Sequence, residues 1–205
     1  MQDGRAIFNM SVSFHLLEEG YEHQDAMPEV PPPEDMMSWE ERARDAGERI
    51  PKPLREWMLA ERPIELRSRE AHSWFSSEPA RGPNPVWLRA HGEVGDDPML
   101  HACLLAYASD MGFVDNIYRP HRHPGPRDVM MASLDHAVWF HREFRMDEWI
   151  LYVQESPSAS GARGYARGTM FDRSGRLIAS VAQEGLMRSV NADDRRRAYA
   201  LEPQQ

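Results

Sequence analysis

One cysteine, Cys103, occurs in 205 residues, so no intrachain disulfide is possible and nothing calls for an oxidising compartment. A cytoplasmic location is the expectation. Lysine is almost absent too: Lys52 stands alone, and arginine supplies every other basic residue. Positive charge is in deficit, with a formal net charge of −9, which argues against nucleic acid as a partner because that binding needs a basic footprint. No run approaches the roughly 20 apolar residues required to cross a bilayer, so no membrane association is expected. The opening "MQDGRAIFNMSVSF" has neither the basic start nor the unbroken apolar core of a signal peptide. What remains is a composition 41% apolar and 28% charged, that of a globular chain able to hold one ordinary domain with a core.

Phe8, Met10, Val12 and Phe14 alternate with Asn9, Ser11 and Ser13, the pattern of a half-buried strand. The proline-rich "EHQDAMPEVPPPEDMMS" follows and is incompatible with regular structure. Ser38, with Glu41 three residues later, is a capping box that opens a short charged helix, and "PLREWMLAE" reads as a second. From Pro63 the texture turns to strands: "PIELRSRE", "NPVWLRAHGEV", "VMMASLDHAVWFHR", "EWILYVQESPSA", "ARGYARGTMFDR" and "RLIASVAQEGLMR". A "DRSGR" turn joins the last two as a hairpin.

Between the second and third of these runs, Asp97 and Pro98 supply an N-cap and a first-turn proline for a helix that Gly112 ends. Leu100, Cys103, Leu104, Tyr107 and Met111 fall at helical spacing and predict a buried apolar stripe, with Cys103 as a packing residue. One apolar helix among six largely antiparallel strands implies an α+β fold in which the sheet curls around the helix. Asp110 sits in the last turn, on the flank of the stripe. There a carboxylate meets the negative end of the helix dipole in partly dry surroundings, both unfavourable to its charge.

Two more polar residues interrupt apolar strands: Ser133 in "MASLDH" and Gln183 in "SVAQEGLM". Taken singly, a helix-end aspartate is ordinarily solvated, and a strand serine or glutamine ordinarily marks an edge. Several local rules broken within one domain mark a site being built. The segments "YASDMGF", "ASLDHAVWFHREF", "LYVQESPSASGARGYARG" and "ASVAQEGLMR", in this order, resemble the type II acyl-CoA thioesterases, double-hotdog enzymes that hydrolyse fatty acyl-CoA. The likeness reaches back through "PPPED" and "GRAIFNMSVSF". It implies a hotdog fold, an acyl-CoA substrate, and a water bound by Asp110, Ser133 and Gln183.

The chemistry of the side chains agrees with that implication. Thioester hydrolysis needs an activated water, a polarised carbonyl and a thiolate that leaves. Asp110 can accept the water's proton, while Ser133 and Gln183 can direct its lone pairs at the carbon. The reaction needs no cofactor and no acyl-enzyme. Asp135, two residues from Ser133, is a rival carboxylate for which a structural role, pairing or holding a loop, is the better expectation. A Ser133–Asp135–His136 triad is rejected because adjacent strand residues face opposite ways and no G-x-S-x-G elbow is present. Metal is not expected, since His136 and His141 fall on opposite faces of one strand and "HRH" at 121–123 lies in a loop. "GARGYARG" lacks dinucleotide-loop spacing, although its Arg163 and Arg167 can reach CoA phosphates.

Against the two-repeat pattern, residues 1–18 resemble only the last strand of a first hotdog repeat. Residues 19–62 then read as a linker with short helices, 63–190 as the hotdog domain, and 191–205 as a polar tail. A single repeat leaves strand edges and apolar side chains uncovered, which predicts a homodimer or larger homo-oligomer. Two further readings follow: a catalytically weak hotdog subunit that binds acyl-CoA or a partner hotdog, and a hotdog dehydratase. The second is disfavoured because no histidine holds a motif-supported position.

Overall fold

The structure, a computed structural model, describes residues 4–16, 18–50, 52–70, 76–123 and 129–189. The expected tail after 190 lies outside them. Among the described residues there are eight strands: β1 (Met37–Ser38), β2 (Ile64–Ser68), β3 (Asn84–Ala90), β4 (Val129–Ser133), β5 (Ala137–Phe140), β6 (Ile150–Ser160), β7 (Arg163–Asp172) and β8 (Leu177–Ser189). Four helices accompany them: α1 (Trp39–Ala46), α2 (Lys52–Leu59), α3 (Pro98–Asp110) and α4 (Asp115–Tyr118). All strand pairs are antiparallel, in the order β1-β2-β3-β6-β7-β8-β4, with β5 also on β8. The α+β expectation holds.

Register sorts the side chains into two faces. Leu66 opposes Leu88, Leu88 opposes Ile150, Tyr152 opposes Met170, and Ala166 opposes Gln183, so these line the inner face. Leu105 and Ala108 of α3, with Phe113 and Ile117 beyond it, complete the core on that side. Gly164 and Gly185, paired across β7 and β8, let α4 lie directly on the sheet. A Cβ on Gly164 would enter the Ile117 side chain, and one on Gly185 would meet Val114 at 2.6 Å. Within "GARGYARG" Gly164 is therefore a seat for a helix, whereas Gly168 makes room for the Tyr152 ring and Gly161 turns the β6–β7 hairpin at positive φ.

Three expectations are corrected. First, α3 buries His101, Leu105, Ala108 and Ser109, whereas Leu100, Cys103 and Tyr107 are exposed and Leu104 and Met111 half-buried. The helix is apolar on nearly every side and the sheet covers only one. The covered side carries His101, which donates Nε2–H to the Gly95 carbonyl (2.9 Å) and accepts from the Met146 N–H at Nδ1 (3.0 Å).

Second, the region 19–62 is no linker. Trp39, Ala43, Ala46 and Met58 of α1 and α2 belong to the main core. The proline-rich stretch before them straps the sheet's outer face, where Met36 joins Trp87, Trp149, Leu151 and Phe171, with Met27 and Val30 against them. Trp87 Nε1–H donates to the Pro31 carbonyl (2.9 Å), and the Leu177 N–H donates to Gln24 Oε1 (3.0 Å). Prolines suit this role because a strap needs few backbone donors. The capping box is present as expected: Ser38 Oγ accepts from the Glu41 N–H at 3.1 Å, and Glu41 Oε2 accepts from the Ser38 N–H at 2.7 Å.

Third, residues 6–16 form no strand, and Phe8, Met10, Val12 and Phe14 are exposed. The alternation is real, but no neighbouring strand among the described residues pairs with it.

Candidate active site

Asp97 caps α3 with its side chain, Oδ1 accepting from the Met99 N–H at 2.9 Å, and Pro98 occupies the first turn. Thirteen residues later the helix delivers Asp110 beside β8. Gln183 lies on the inner face of β8 and is 1% exposed. Its Nε2 donates to Asp110 Oδ1 at 2.7 Å, which orients the amide, since the carboxylate accepts only. Gln183 Oε1 is buried and makes no hydrogen bond to the protein. A buried acceptor left open next to a carboxylate is costly unless something polar meets it.

The run "VMMASLDHAVWFHR" is two strands, not one. Ser133 opposes Gly185 and Ala137 opposes Ala182, so three residues of the edge face two of β8. Such a bulge re-aims side chains. Asp135 Oδ1 accepts the Glu184 N–H at 2.7 Å, and Leu134 N–H donates to the Glu184 carbonyl (2.9 Å). Asp135 thus holds the crossing, and it is the bulge, not regular alternation, that separates it from Ser133. Ser133 shares the inner face with Gln183, two positions along β8 from its partner Gly185. It is exposed, and its hydroxyl makes no hydrogen bond among those described.

His136, the third residue of the crossing, turns toward the end of α3. Its Nε2 is 2.8 Å from Ser109 Oγ and its Nδ1 3.8 Å from Asp110 Oδ1. Burial pushes the imidazole below its ordinary pKa, against the pull of the Asp110 and Asp135 carboxylates. His141 goes elsewhere, to Ser180 Oγ at 2.8 Å. Tyr152 closes the floor, its hydroxyl donating to the Ser109 carbonyl (3.2 Å), and burial together with Asp110 holds the phenol neutral.

The expected partly dry setting of Asp110 is not what the structure shows: its side chain is 55% exposed, on the side of α3 that nothing among the described residues covers. Arg163 and Arg167 lie on the outer face of β7, opposite to Gln183, by strand alternation. Arg163 pairs with Glu184 at 3.1 Å and Arg167 with Glu155 at 2.7 Å, so the structure does not bring them to Asp110. Ser109 was not singled out in the sequence, and His136 was weighed there only for a triad and for metal. Their signal was adjacency, each standing beside an aspartate in a motif already singled out.

Residues 54–186 match the family model described as acyl-CoA thioesterase. The chain belongs to the acyl-CoA thioesterase family. It is 35% identical to acyl-CoA thioesterase 2 of Haemophilus influenzae over 92% of its own length and 66% of that protein's. Acyl-coenzyme A thioesterase 8 of Mus musculus is 36% identical, with 92% of this chain and 61% of that protein covered. A solved acyl-CoA thioesterase II from Mycobacterium marinum superposes with a TM-score of 0.64 at 37% identity, covering 84% of this chain and 59% of that one. The hotdog expectation stands for this family member, and the chain spans less than two thirds of each of these relatives.

Proposed function

We propose that this chain hydrolyses acyl-CoA thioesters to a free fatty acid and CoA, a role in fatty-acid metabolism, using a water activated by Asp110. The observation that carries the reading is the Asp110–Gln183 pair with Gln183 Oε1 left open. A water donating one hydrogen to Asp110 and the other to Gln183 Oε1 keeps its lone pairs for the thioester carbon. Ser133, on the same sheet face, steadies it. Asp110 takes the proton as the water attacks, the carbon–sulfur bond breaks, and the same proton is then available to the departing thiolate. Arg163 and Arg167 are not part of this reading. A cytoplasmic site of action, argued from the single cysteine, is.

We also propose a homodimer or larger assembly as the working form. Met99 (72% exposed), Tyr107 (55%) and Leu100 (43%) on α3 lie open, as do Leu134, Trp139 and Phe140 along the β4–β5 edge. A second copy of this chain is the partner whose apolar face matches. It would also dry the Asp110 carboxylate and offer Phe8, Met10, Val12 and Phe14 a strand to join.

The test is thiol release from short, medium and long acyl-CoA by the purified chain. Asp110→Asn keeps the shape and removes the acceptor, so turnover falls about 10²–10⁴-fold, while Asp135→Asn costs far less. An equal loss from Asp135→Asn with the fold intact, and little from Asp110→Asn, overturns the assignment. The open flank of Asp110 favours one second reading, a subunit that binds acyl-CoA or a partner hotdog with weak turnover. Saturable acyl-CoA binding without thiol release selects it.

A further inference from the structure

The hydrogen count around Ser109 decides the state of a residue next to the reactive carboxylate. Ser109 is fully buried in the last turn of α3, and its hydroxyl donates its one hydrogen to the Ala106 carbonyl at 2.9 Å. A carbonyl only accepts, so the 2.8 Å contact between Ser109 Oγ and His136 Nε2 has the ring as donor. Neutral His136 therefore carries its proton on Nε2 and turns the lone pair of Nδ1 toward Asp110 Oδ1, 3.8 Å away. The Phe113 ring meets the imidazole edge-on at 6.0 Å. Flipping the ring would forfeit the Ser109 bond.

We propose that His136 is a positioning residue for Asp110 that sets the acid side of the activity. With Nδ1 bare, the ring offers the carboxylate no hydrogen bond and leaves it free to receive a proton. When Nδ1 takes a proton from solvent, the ring becomes a cation and a donor facing Asp110, and captures it in an ion pair. The carboxylate then no longer serves as a base. The charged groups acting on the ring are Asp110 from α3 and Asp135 from the crossing. Gln183 of β8 is uncharged. Asp135 is occupied by the Glu184 N–H, leaving Asp110 as the group that responds. Because burial lowers the imidazole pKa, capture begins below the ordinary histidine range and the site is open at neutral pH.

This inference rests on Asp110 acting as the base, and its test has an arm that needs no turnover. Nitrogen-15 NMR of the full chain should find His136 protonated at Nε2 near pH 7. In Asp110→Asn the ring pKa should fall by about one pH unit, as an opposite charge is removed from its side. In kinetics, His136→Gln keeps a donor toward Ser109 but cannot become a cation, so the acid limb of kcat moves down toward the carboxylate range. Ser109→Ala frees the ring to carry its proton on Nδ1 and bond Asp110, lowering kcat about tenfold with KM unchanged. An Nδ1-protonated ring in the unmodified chain, a ring pKa indifferent to Asp110→Asn, or an acid limb unmoved by His136→Gln overturns the proposal. If no acyl-CoA is hydrolysed, the thioesterase reading fails while the NMR arm still decides the coupling.

Discussion

The two sides of α3 are built from similar residues and meet opposite fates. Leu105 and Ala108 face the sheet with no exposed surface, while Leu100 and Tyr107, one helical step around, are 43% and 55% exposed. The polar residues are distributed against intuition. The buried side carries His101 and Ser109, each fully committed to hydrogen bonds, and the open side is almost wholly apolar. Apolarity alone does not mark the core side of a helix that has two faces to bury. The partners that satisfy those polar side chains, Gly95, Met146, Ala106 and His136, come from α3 itself and from the segments between strands rather than from the sheet.

That contrast can be broken from the covered side first. Leu105→Ala removes a side chain with no route for collapse between α3 and the sheet, and should cost about 2–5 kcal/mol in denaturant unfolding. A loss under about 1 kcal/mol would mean that this face is not the core. Gly164→Val sharpens the same point one layer on, because the new side chain would occupy the space of Ile117 and lift α4 from β7. Its expected cost is about 1–3 kcal/mol, read as a lower denaturant midpoint. On the open side, the double variant Leu100→Ser, Tyr107→Ser should change the stability of the isolated chain by no more than about 0.5 kcal/mol per site. Sedimentation should nevertheless move from an assembly toward the monomer at micromolar concentration. An unmodified chain that sediments there as a fully active monomer would remove the case for a second copy on this face.

Much of the site was legible before any coordinates. Asp110 and Gln183 stood out as polar residues breaking apolar patterns, and the structure joins them across 73 positions at 2.7 Å. Ser133 was legible as a third break, though its exposure was not. Asp135 was expected to pair or hold a loop, and the structure has its Oδ1 accepting the Glu184 N–H. His136 was set aside as a triad or metal residue on strand alternation, and a one-residue bulge, invisible to periodicity, turns its ring toward α3. The outward arginines were a matter of parity. On a strand, Arg163 and Arg167 share a face with each other and with Tyr165, and only pairing with β8 says that Gln183 lies on the other.

By itself the sequence determined several elements and ends: the capping box at Ser38, the Asp97–Pro98 start of α3, the Asp172–Arg176 hairpin turn, and an antiparallel sheet with one apolar helix. These are local matters, decided by hydrogen bonds and spacings within a few residues of one another. The tertiary structure alone decided which side of α3 is buried, that a proline-rich stretch straps the back of the sheet, and that Phe8 to Phe14 finds no partner strand among the described residues. Each of these depends on competition between distant surfaces for the same apolar cover. Local pattern can show that a face wants burial, but only the assembled fold decides which face obtains it.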